Sequence, residues 1–249
     1  MTRIIIMAAG NGTRMNVQLP KVLVPLKGRP MIKYLLDEVI RSGIDRRPII
    51  VVSPTNESAI KQELSSYDLE YVQQEQQLGT GHAVACAKNI LNAEVENVLV
   101  LNGDHPFFKA ESLKKITSLT PAPLAILTTK LSNFEEWRRN FYHWGRIIRD
   151  TQGQIIKIME FKDATPEEQA VTEVNPNAMY FNRQWLFQHL PNLDNHNKSA
   201  EYYLTDLIKI AFSEGQPIAS TIVDPCEAMG INSLEELKIA EDLFAANNQ

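Results

Sequence analysis

The chain has 249 residues, 44% of them hydrophobic and 22% charged, and a net charge of −5. That size and balance describe a soluble globular protein that buries its core without covalent staples, and the acidic sum argues against a general nucleic-acid binder. The charge is uneven: residues 1–50 hold nine Lys or Arg against three acids, a local +6. In chain order, the apolar run Ile4–Met7 leads into a loop with Gly10, Gly12 and Arg14, followed by Pro20 and Lys21. Pro30 predicts the first residue of a helix with the stripe Met31, Ile32, Leu35, Leu36, Val39 and Ile40, ended by Ser42-Gly43. Ile49–Val52 predicts a second buried strand, and a third segment ends near Val72. A helix follows over 80–91, with Gly79, Thr80 and Gly81 at its mouth. Val98–Leu101 runs out into Asn102-Gly103-Asp104, and Leu124–Leu127 is another apolar run. Beyond about Thr129, "WGRIIRDTQGQIIKIMEF" predicts a hairpin turning near Gly153, and "TEVNPNAMYF" predicts a further strand. Helices over 203–212 and 233–244 close the chain, the last with a Ser233/Glu236 capping box.

Strand–helix alternation predicts an α/β protein built from βαβ units. No tract rich in Pro, Gly or Ser divides it, so one domain over 1–249 is expected. Cys86 and Cys226 lie far apart without CxxC spacing and read as reduced thiols. The first apolar run is too short for a signal peptide, and no stretch nears the roughly 20 residues of a membrane span. A soluble, cytoplasmic protein is the expectation.

Three motifs carry chemistry. "AAGNGTR" lacks the third glycine of a dinucleotide fingerprint and the GK[ST] of a Walker loop. It remains either a tight turn or a loop aiming N–H groups at an anion, with Arg14 and Lys21 as flanking cations. Gly79, Thr80 and Gly81 put free N–H groups and a positive dipole end at a helix mouth, although Thr80 as a simple N-cap also fits. His82 reads as a structural helix residue, because no partner at ligand spacing accompanies it. Asp104 stands at the end of an apolar strand, where a carboxylate suits Mg²⁺ beside phosphate oxygens, while Asn-Gly-Asp is also good turn chemistry. On successive βα turns of one sheet, the three motifs converge on one edge.

The ordered motifs "AAGNGTRM…LPKVL", "EQQLGTGHAV", "NGD", "WGRI", "MEFKDAT", "EVN", "AEYYLTD" and "GIN" span about residues 3–245. In this the chain resembles the nucleotidyltransferase half of bacterial N-acetylglucosamine-1-phosphate uridylyltransferases. The resemblance implies a Rossmann-like three-layer sandwich with a mixed, mostly parallel sheet of seven strands, the nucleotide-diphospho-sugar transferase fold. It implies a reaction of UTP with N-acetylglucosamine 1-phosphate, needing Mg²⁺, to give UDP-N-acetylglucosamine and pyrophosphate. Its small-molecule partners are thus a nucleoside triphosphate and a sugar 1-phosphate, without nucleic acid or membrane. By motif, Ala9, Gly10 and Gly12 would hug the nucleotide, and Arg14 and Lys21 would contact its phosphates. Gln74 and Gly79, with Thr80 beside them, would read the uracil edge. Asp104 and Asn232 would hold the metal. Gly145, Glu160, Asn175, Glu201, Tyr202 and Thr205 would line the sugar-phosphate pocket. For two of these residues a bland role also fits, Glu160 pairing with Lys162 and Asn232 serving at the start of the last helix. Tyr203 reads as a core residue beside Leu207.

The chain departs from the family pattern in three ways. The β-helical acetyltransferase half is absent, so no acetyl transfer is expected; that half drives trimerisation in the family, which leaves the oligomer open. Asn102 stands where the family has Tyr, and Pro176-Asn177 where it has Thr-Gly. Both changes border the acceptor pocket, so another hexosamine phosphate, another nucleotide, or a binder without turnover are the alternatives.

Overall fold

The computed structural model describes residues 1–10, 12, 15, 18–119 and 122–246, with side chains through residue 243. Arg14 lies outside the described residues. In chain order the elements are β1 (Thr2–Met7), the short pair β2 (Pro25–Leu26) and β3 (Arg29–Pro30), α1 (Met31–Ser42), β4 (Ile49–Val52), α2 (Glu57–Glu63), β5 (Glu70–Gln73) and α3 (Thr80–Cys86). They continue with β6 (Asn97–Asn102), α4 (Ala110–Thr117), β7 (Leu124–Lys130), β8 (Arg146–Arg149), β9 (Ile155–Met159), α5 (Pro166–Gln169), β10 (Glu173–Val174) and β11 (Met179–Asn182). The chain closes with α6 (Arg183–His189), α7 (Asp206–Ser213), β12 (Ile218–Ile222), α8 (Pro225–Ala228) and α9 (Leu234–Ala246).

Side chains alternate across a strand, so an all-apolar run requires cover on both faces. Ile4, Ile6, Leu99 and Leu101 pack with Met31 and Leu35 of α1 and Leu113 of α4. Their neighbours Ile5, Val98 and Val100 pack on the other side with Val84 of α3, Leu186 of α6 and Leu207 of α7. The result is a three-layer sandwich. Strands run in the order β5-β4-β1-β6-β11-β7, with β12 on the other side of β7; these seven form the central body expected from the resemblance. Parallel pairing joins β5, β4, β1 and β6, and also β7 and β12, while β11 is antiparallel to both neighbours. Through β7, the antiparallel strands β10, β8 and β9 extend the sheet beyond that body.

Several boundaries differ from the sequence reading. Pro30 precedes α1, which ends as expected on Gly43 in the left-handed conformation, and Ile40 of its stripe is exposed. The helix expected over 80–91 stops at Cys86, with a 3-10 turn at Lys88–Ile90. "TEVNPNAMYF" makes two strands instead of one, broken by a turn at Pro176-Asn177 where Asn177 takes φ +55°. The helix expected from Tyr203 begins at Asp206, because residues 201–204 are drawn into backbone bonds with the mouth of α3. Leu204 fills the core place expected of Tyr203, which is half-buried. Before α9, Ser233 Oγ accepts from Glu236 N at 3.1 Å, and the Glu236 carboxylate accepts from Asn232 N, a box shifted back by one residue.

Candidate active site

The floor of the site lies where β1 and β6 end side by side. Met7 pairs with Asn102, and Gly103 N donates to Met7 O at 2.9 Å. The chain therefore leaves both strands at one point, as parallel α/β sheets do where ligands bind. Asp104 is one step beyond, its carboxylate 14% exposed. Lys21 Nζ donates to Asp104 Oδ2 and, at 2.7 Å, to Asn232 Oδ1. Asp104 Oδ1 meets His105 Nδ1 at 2.8 Å, and that ring lies between Phe108 and Trp144. Burial alone raises the Asp104 pKa, but the Lys21 charge and the His105 hydrogen bond outweigh it and hold the carboxyl well below the usual carboxylate range. Gly12 is a glycine for a local reason: it sits at φ +59°, and a Cβ there would be 2.7 Å from Lys21 Cβ.

The second element is the mouth of α3. Gly79 precedes it at φ +108°, and the segment 201–204 lies directly on it. Tyr202 N donates to Leu78 O at 2.8 Å, Gly81 N to Tyr202 O at 2.8 Å, and Leu204 N to Thr80 Oγ1 at 2.9 Å. The Thr80 hydroxyl thus ties two segments together, and the cap position belongs to Gly79. Gln74 is buried beside this seam, its Nε2 within 3.1 Å of Gly79 O and of His82 Nδ1. A cavity of about 230 Å³ lies between seam and floor, lined among others by Ala9, Gly10, Gln74, Gly79, Thr80, Asn102, Asp104 and Glu201. Seven of the predicted residues meet there, and Lys21 and Asn232 join through Asp104.

A second cluster adjoins the far end of the same seam. Thr205 Oγ1 donates to Glu160 Oε1 at 3.1 Å, and a Cβ on Gly145 would stand 3.3 Å from that oxygen. Asn175 N donates to Gly145 O at 2.9 Å, which places Asn175 beside them. The Asn175 amide is turned onto the turn that follows it, Nδ2 to Asn177 Oδ1 at 2.7 Å and Asn177 N to Oδ1 at 3.0 Å. Glu160 makes no ion pair with Lys162 or any other cation among the described residues. Gly145, Glu160, Asn175 and Thr205 therefore form one wall, while Glu201 faces the first cavity and Tyr202 serves through its backbone.

Comparison with known proteins bears on what this arrangement does. Residues 4–199 match the MobA-like NTP transferase domain. The chain belongs to the MobA-like NTP transferase family. As such it is a nucleotidyltransferase. It is similar to the bifunctional protein GlmU of Caldicellulosiruptor saccharolyticus, 41% identical over 238 residues, covering 95% of this chain and 50% of that protein. The chain spans about half the length of such curated relatives. In fold it resembles a Bacillus anthracis protein assigned as a glucose-1-phosphate thymidylyltransferase (TM-score 0.75, 16% identity, 98% of this chain and 95% of that one). A 4-diphosphocytidyl-2C-methyl-D-erythritol synthase from Anaerococcus prevotii also shares it (TM-score 0.67, 20% identity, 98% of each chain).

In this MobA-like NTP transferase five of the nine cations in the first fifty residues form ion pairs within the fold. Arg3 pairs with Asp45 and Glu70, Arg29 with Asp37, Lys33 with Glu63, Arg41 with Glu38 and Arg47 with Asp68. Among the described cations of that segment, Lys21 is the one at the site. A second, larger cavity of about 420 Å³, unforeseen from the sequence, lies behind the Glu160 wall and is lined by Glu160, Asp163, Asp194, Tyr203 and Asp206 among others. No helix among the described residues is long and apolar enough to cross a membrane.

Two electrostatic features of the wall have measurable consequences. Burial pushes the Glu160 pKa up to about 7, with Asp206, Asp163 and Glu201 adding to it against the Thr205 hydrogen bond. The folded state then keeps a proton that the unfolded chain, near 4.5, has lost, so stability falls as pH rises between those values and the cost is complete above pH 7. Glu160→Gln is expected to flatten that slope in urea-unfolding midpoints measured from pH 4.5 to 8. The part of the slope from Asp206, raised to about 6 by burial and Asp194, is expected to remain. An unchanged slope would count against this account of Glu160.

Arg146 is fully buried next to Gly145 and pairs with no carboxylate among the described residues. Its guanidinium donates to the carbonyls of Trp144, Tyr142 and Gln169 and lies over the Phe134 and Phe161 rings. Burial lowers its pKa to about 10, which leaves it charged at neutral pH. Replacing it by Met strands those carbonyls, so Arg146→Met is expected to cost about 3 kcal/mol and lower Tm by about 6–12 °C in calorimetry. Nothing in the motif "WGRI" signalled a buried cation, since its carbonyl partners carry no sequence signature.

Proposed function

We propose that this nucleotidyltransferase is a uridylyltransferase that joins UTP and N-acetylglucosamine 1-phosphate into UDP-N-acetylglucosamine, with release of pyrophosphate and dependence on Mg²⁺. The observation that carries the reading is the convergence of Lys21, Asp104 and Asn232 with Gln74 and Gly79 around one cavity at the strand ends. Residues 1–249 are read as one such unit. Gln74 Oε1 and Gly79 N–H offer an acceptor and a donor, the complement of the N3–H and carbonyl on the edge of uracil. The two oxygens of Asp104 and Asn232 are hard donors that already accept from one cation, Lys21 Nζ, which suits Mg²⁺ completed by phosphate oxygens. Among the described residues no cluster of three or more His, Cys, Asp or Glu is arranged to hold a metal, so such an ion would depend on the substrate for its other ligands. Bound there, Mg²⁺ would neutralise charge on the phosphates.

The acceptor phosphate oxygen is anionic at neutral pH and needs no general base. It attacks the α-phosphorus in line, the bond to the pyrophosphate oxygen breaks, and pyrophosphate leaves with the electron pair. What this chain's residues supply is alignment and charge. Lys21 would offset the phosphate charge, Ala9 and Gly10 would hug the nucleotide from the cavity lining, and the Gly145–Glu160–Asn175–Thr205 wall would fix the sugar. A different hexosamine phosphate is the second reading for the acceptor. It is favoured by Asn102 in the cavity lining and by the Asn175 amide, which is engaged by Asn177 on the pocket wall.

Pyrophosphate release assayed with each of four nucleoside triphosphates against a panel of sugar 1-phosphates tests the proposal. Turnover only with UTP, a hexosamine 1-phosphate and Mg²⁺ together is the expected result. Turnover with CTP or GTP but not UTP sinks the base assignment.

A further inference from the structure

The Asp104 carboxylate is held between two donors. Lys21 Nζ donates to Oδ2, and on the other side Oδ1 lies 2.8 Å from His105 Nδ1. Burial works against ionisation, but the Lys21 charge holds the Asp104 carboxyl well below the usual carboxylate range. An ionised carboxylate only accepts, so Nδ1 carries the proton and donates. The two oxygens are alike, and turning the carboxylate over leaves that direction unchanged.

The ring is fixed independently of Asp104. His105 is 3% exposed, stacked on Phe108 with centroids 5.7 Å apart and tilted against Trp144 at 5.2 Å. On a third side is Gly230, where a Cβ would stand 2.6 Å from Cε1 and 2.7 Å from Nε2. The missing side chain lets the 230–232 segment close on the ring, and Ile231 N donates to Asp104 O at 3.0 Å. Asn232 follows, with its Oδ1 2.7 Å from Lys21 Nζ. One ring thus touches both segments that carry the candidate metal oxygens. Its Nε2 has no partner among the described residues, so the bond to Asp104 is the one this ring makes.

We propose that His105 is a positioning residue for the metal: its Nδ1–H ties Asp104 Oδ1 to the ring and leaves Oδ2, the oxygen that Lys21 holds, as the one offered to Mg²⁺. This rests on the reading of Asp104 and Asn232 as metal ligands. Bonds of this kind, one step outside the ligands, set ligand orientation and hence metal affinity. A close-packed aromatic box keeps the ring from following if the carboxylate turns.

The test is calorimetric titration of UTP, with and without saturating Mg²⁺ and with no acceptor sugar, so that no turnover enters. The readout is the factor by which Mg²⁺ tightens UTP binding, measured in the wild type and three variants. His105→Phe keeps the ring and its stacking and removes the donor. His105→Asn loses the ring but places Nδ2 near the position of Nδ1. Asp104→Asn removes the ligand itself. The Mg²⁺ factor is expected to fall roughly tenfold in His105→Phe and to be restored in His105→Asn. A ring that merely fills space predicts the opposite ranking, and a factor in His105→Asn no higher than in His105→Phe overturns the proposal. A wild-type factor in His105→Phe, with the factor lost in Asp104→Asn, overturns the role of His105 alone. No tightening in the wild type, or full tightening in Asp104→Asn, overturns the metal reading and the inference with it. If either His105 variant does not fold, the ring ¹⁵N shifts of wild-type His105 decide, and an unprotonated Nδ1 refutes the proposal.

Discussion

Asp104→Asn is expected to lower turnover at least about 10³-fold, the scale of removing a charged group that acts on the reacting phosphates. The same change should also destabilise the fold. Lys21 and Asp104 are 13% and 14% exposed, and removing the carboxylate leaves the ammonium buried with only the neutral Asn232 Oδ1 and the new amide. Breaking one side of a buried pair costs about 3 kcal/mol, whereas replacing both partners by neutral groups costs less. The double variant Lys21→Met/Asp104→Asn is therefore expected to recover much of the lost stability and none of the activity. Pyrophosphate release and urea unfolding on the three proteins separate the two effects. An active double variant would falsify the assignment of these residues to the chemistry.

Gly79→Ala is the second large expected effect. The position is doubly constrained: φ is +108°, and a Cβ would lie 2.7 Å from Tyr202 O, 2.8 Å from Tyr202 N and 2.9 Å from Glu201 Cβ. Two of those neighbours are backbone atoms that cannot swing aside, so the 201–204 segment would have to lift from the mouth of α3. Strain and overpacking together set the cost at about 3 kcal/mol or more. A folded Gly79→Ala protein is expected to bind nucleotide more weakly as well, because Gly79 O orients Gln74. Gly10→Ala is the stability control, since nothing lies within 4 Å of its Cβ position. Equal melting temperatures for the two variants would overturn the steric account.

The central sheet was legible because double burial leaves an uninterrupted apolar run, and Ile4–Met7, Ile49–Val52, Val98–Leu101 and Leu124–Leu127 are such runs. Asp104 was legible for the same reason, as a carboxylate placed where a buried strand runs out. The seam was not. Gly79 and Tyr202 are 123 positions apart, and a backbone-to-backbone contact imposes no periodicity on either segment. The glycines at 79 and 81 suggested an anion-binding helix mouth, and the same residues are also demanded by the close approach of Tyr202. His82 read as structural because no partner at metal-ligand spacing accompanies it, and its contact with Gln74 joins two segments that share no periodicity. The apolar periodicity from Tyr203 onward was real, but long-range bonds at Tyr202 and Leu204 delayed the start of α7. The local +6 suggested an anion site; five of the nine cations behind it are held in ion pairs, three of them with the segment's own acids, and Lys21 is the described one that reaches the site.

The bond from Lys21 to Asp104 has a further meaning for how an anion approaches the cleft. With the ammonium seated, the carboxylate is neutralised in place, so an arriving triphosphate does not meet a bare like charge at the bottom of a low-dielectric pocket. The ammonium sits on a flexible four-carbon stem and can trade one anionic partner for another by rotating about single bonds. Phosphate binding then becomes an exchange of counter-ions, in which neither the lysine nor the aspartate need ever be desolvated alone.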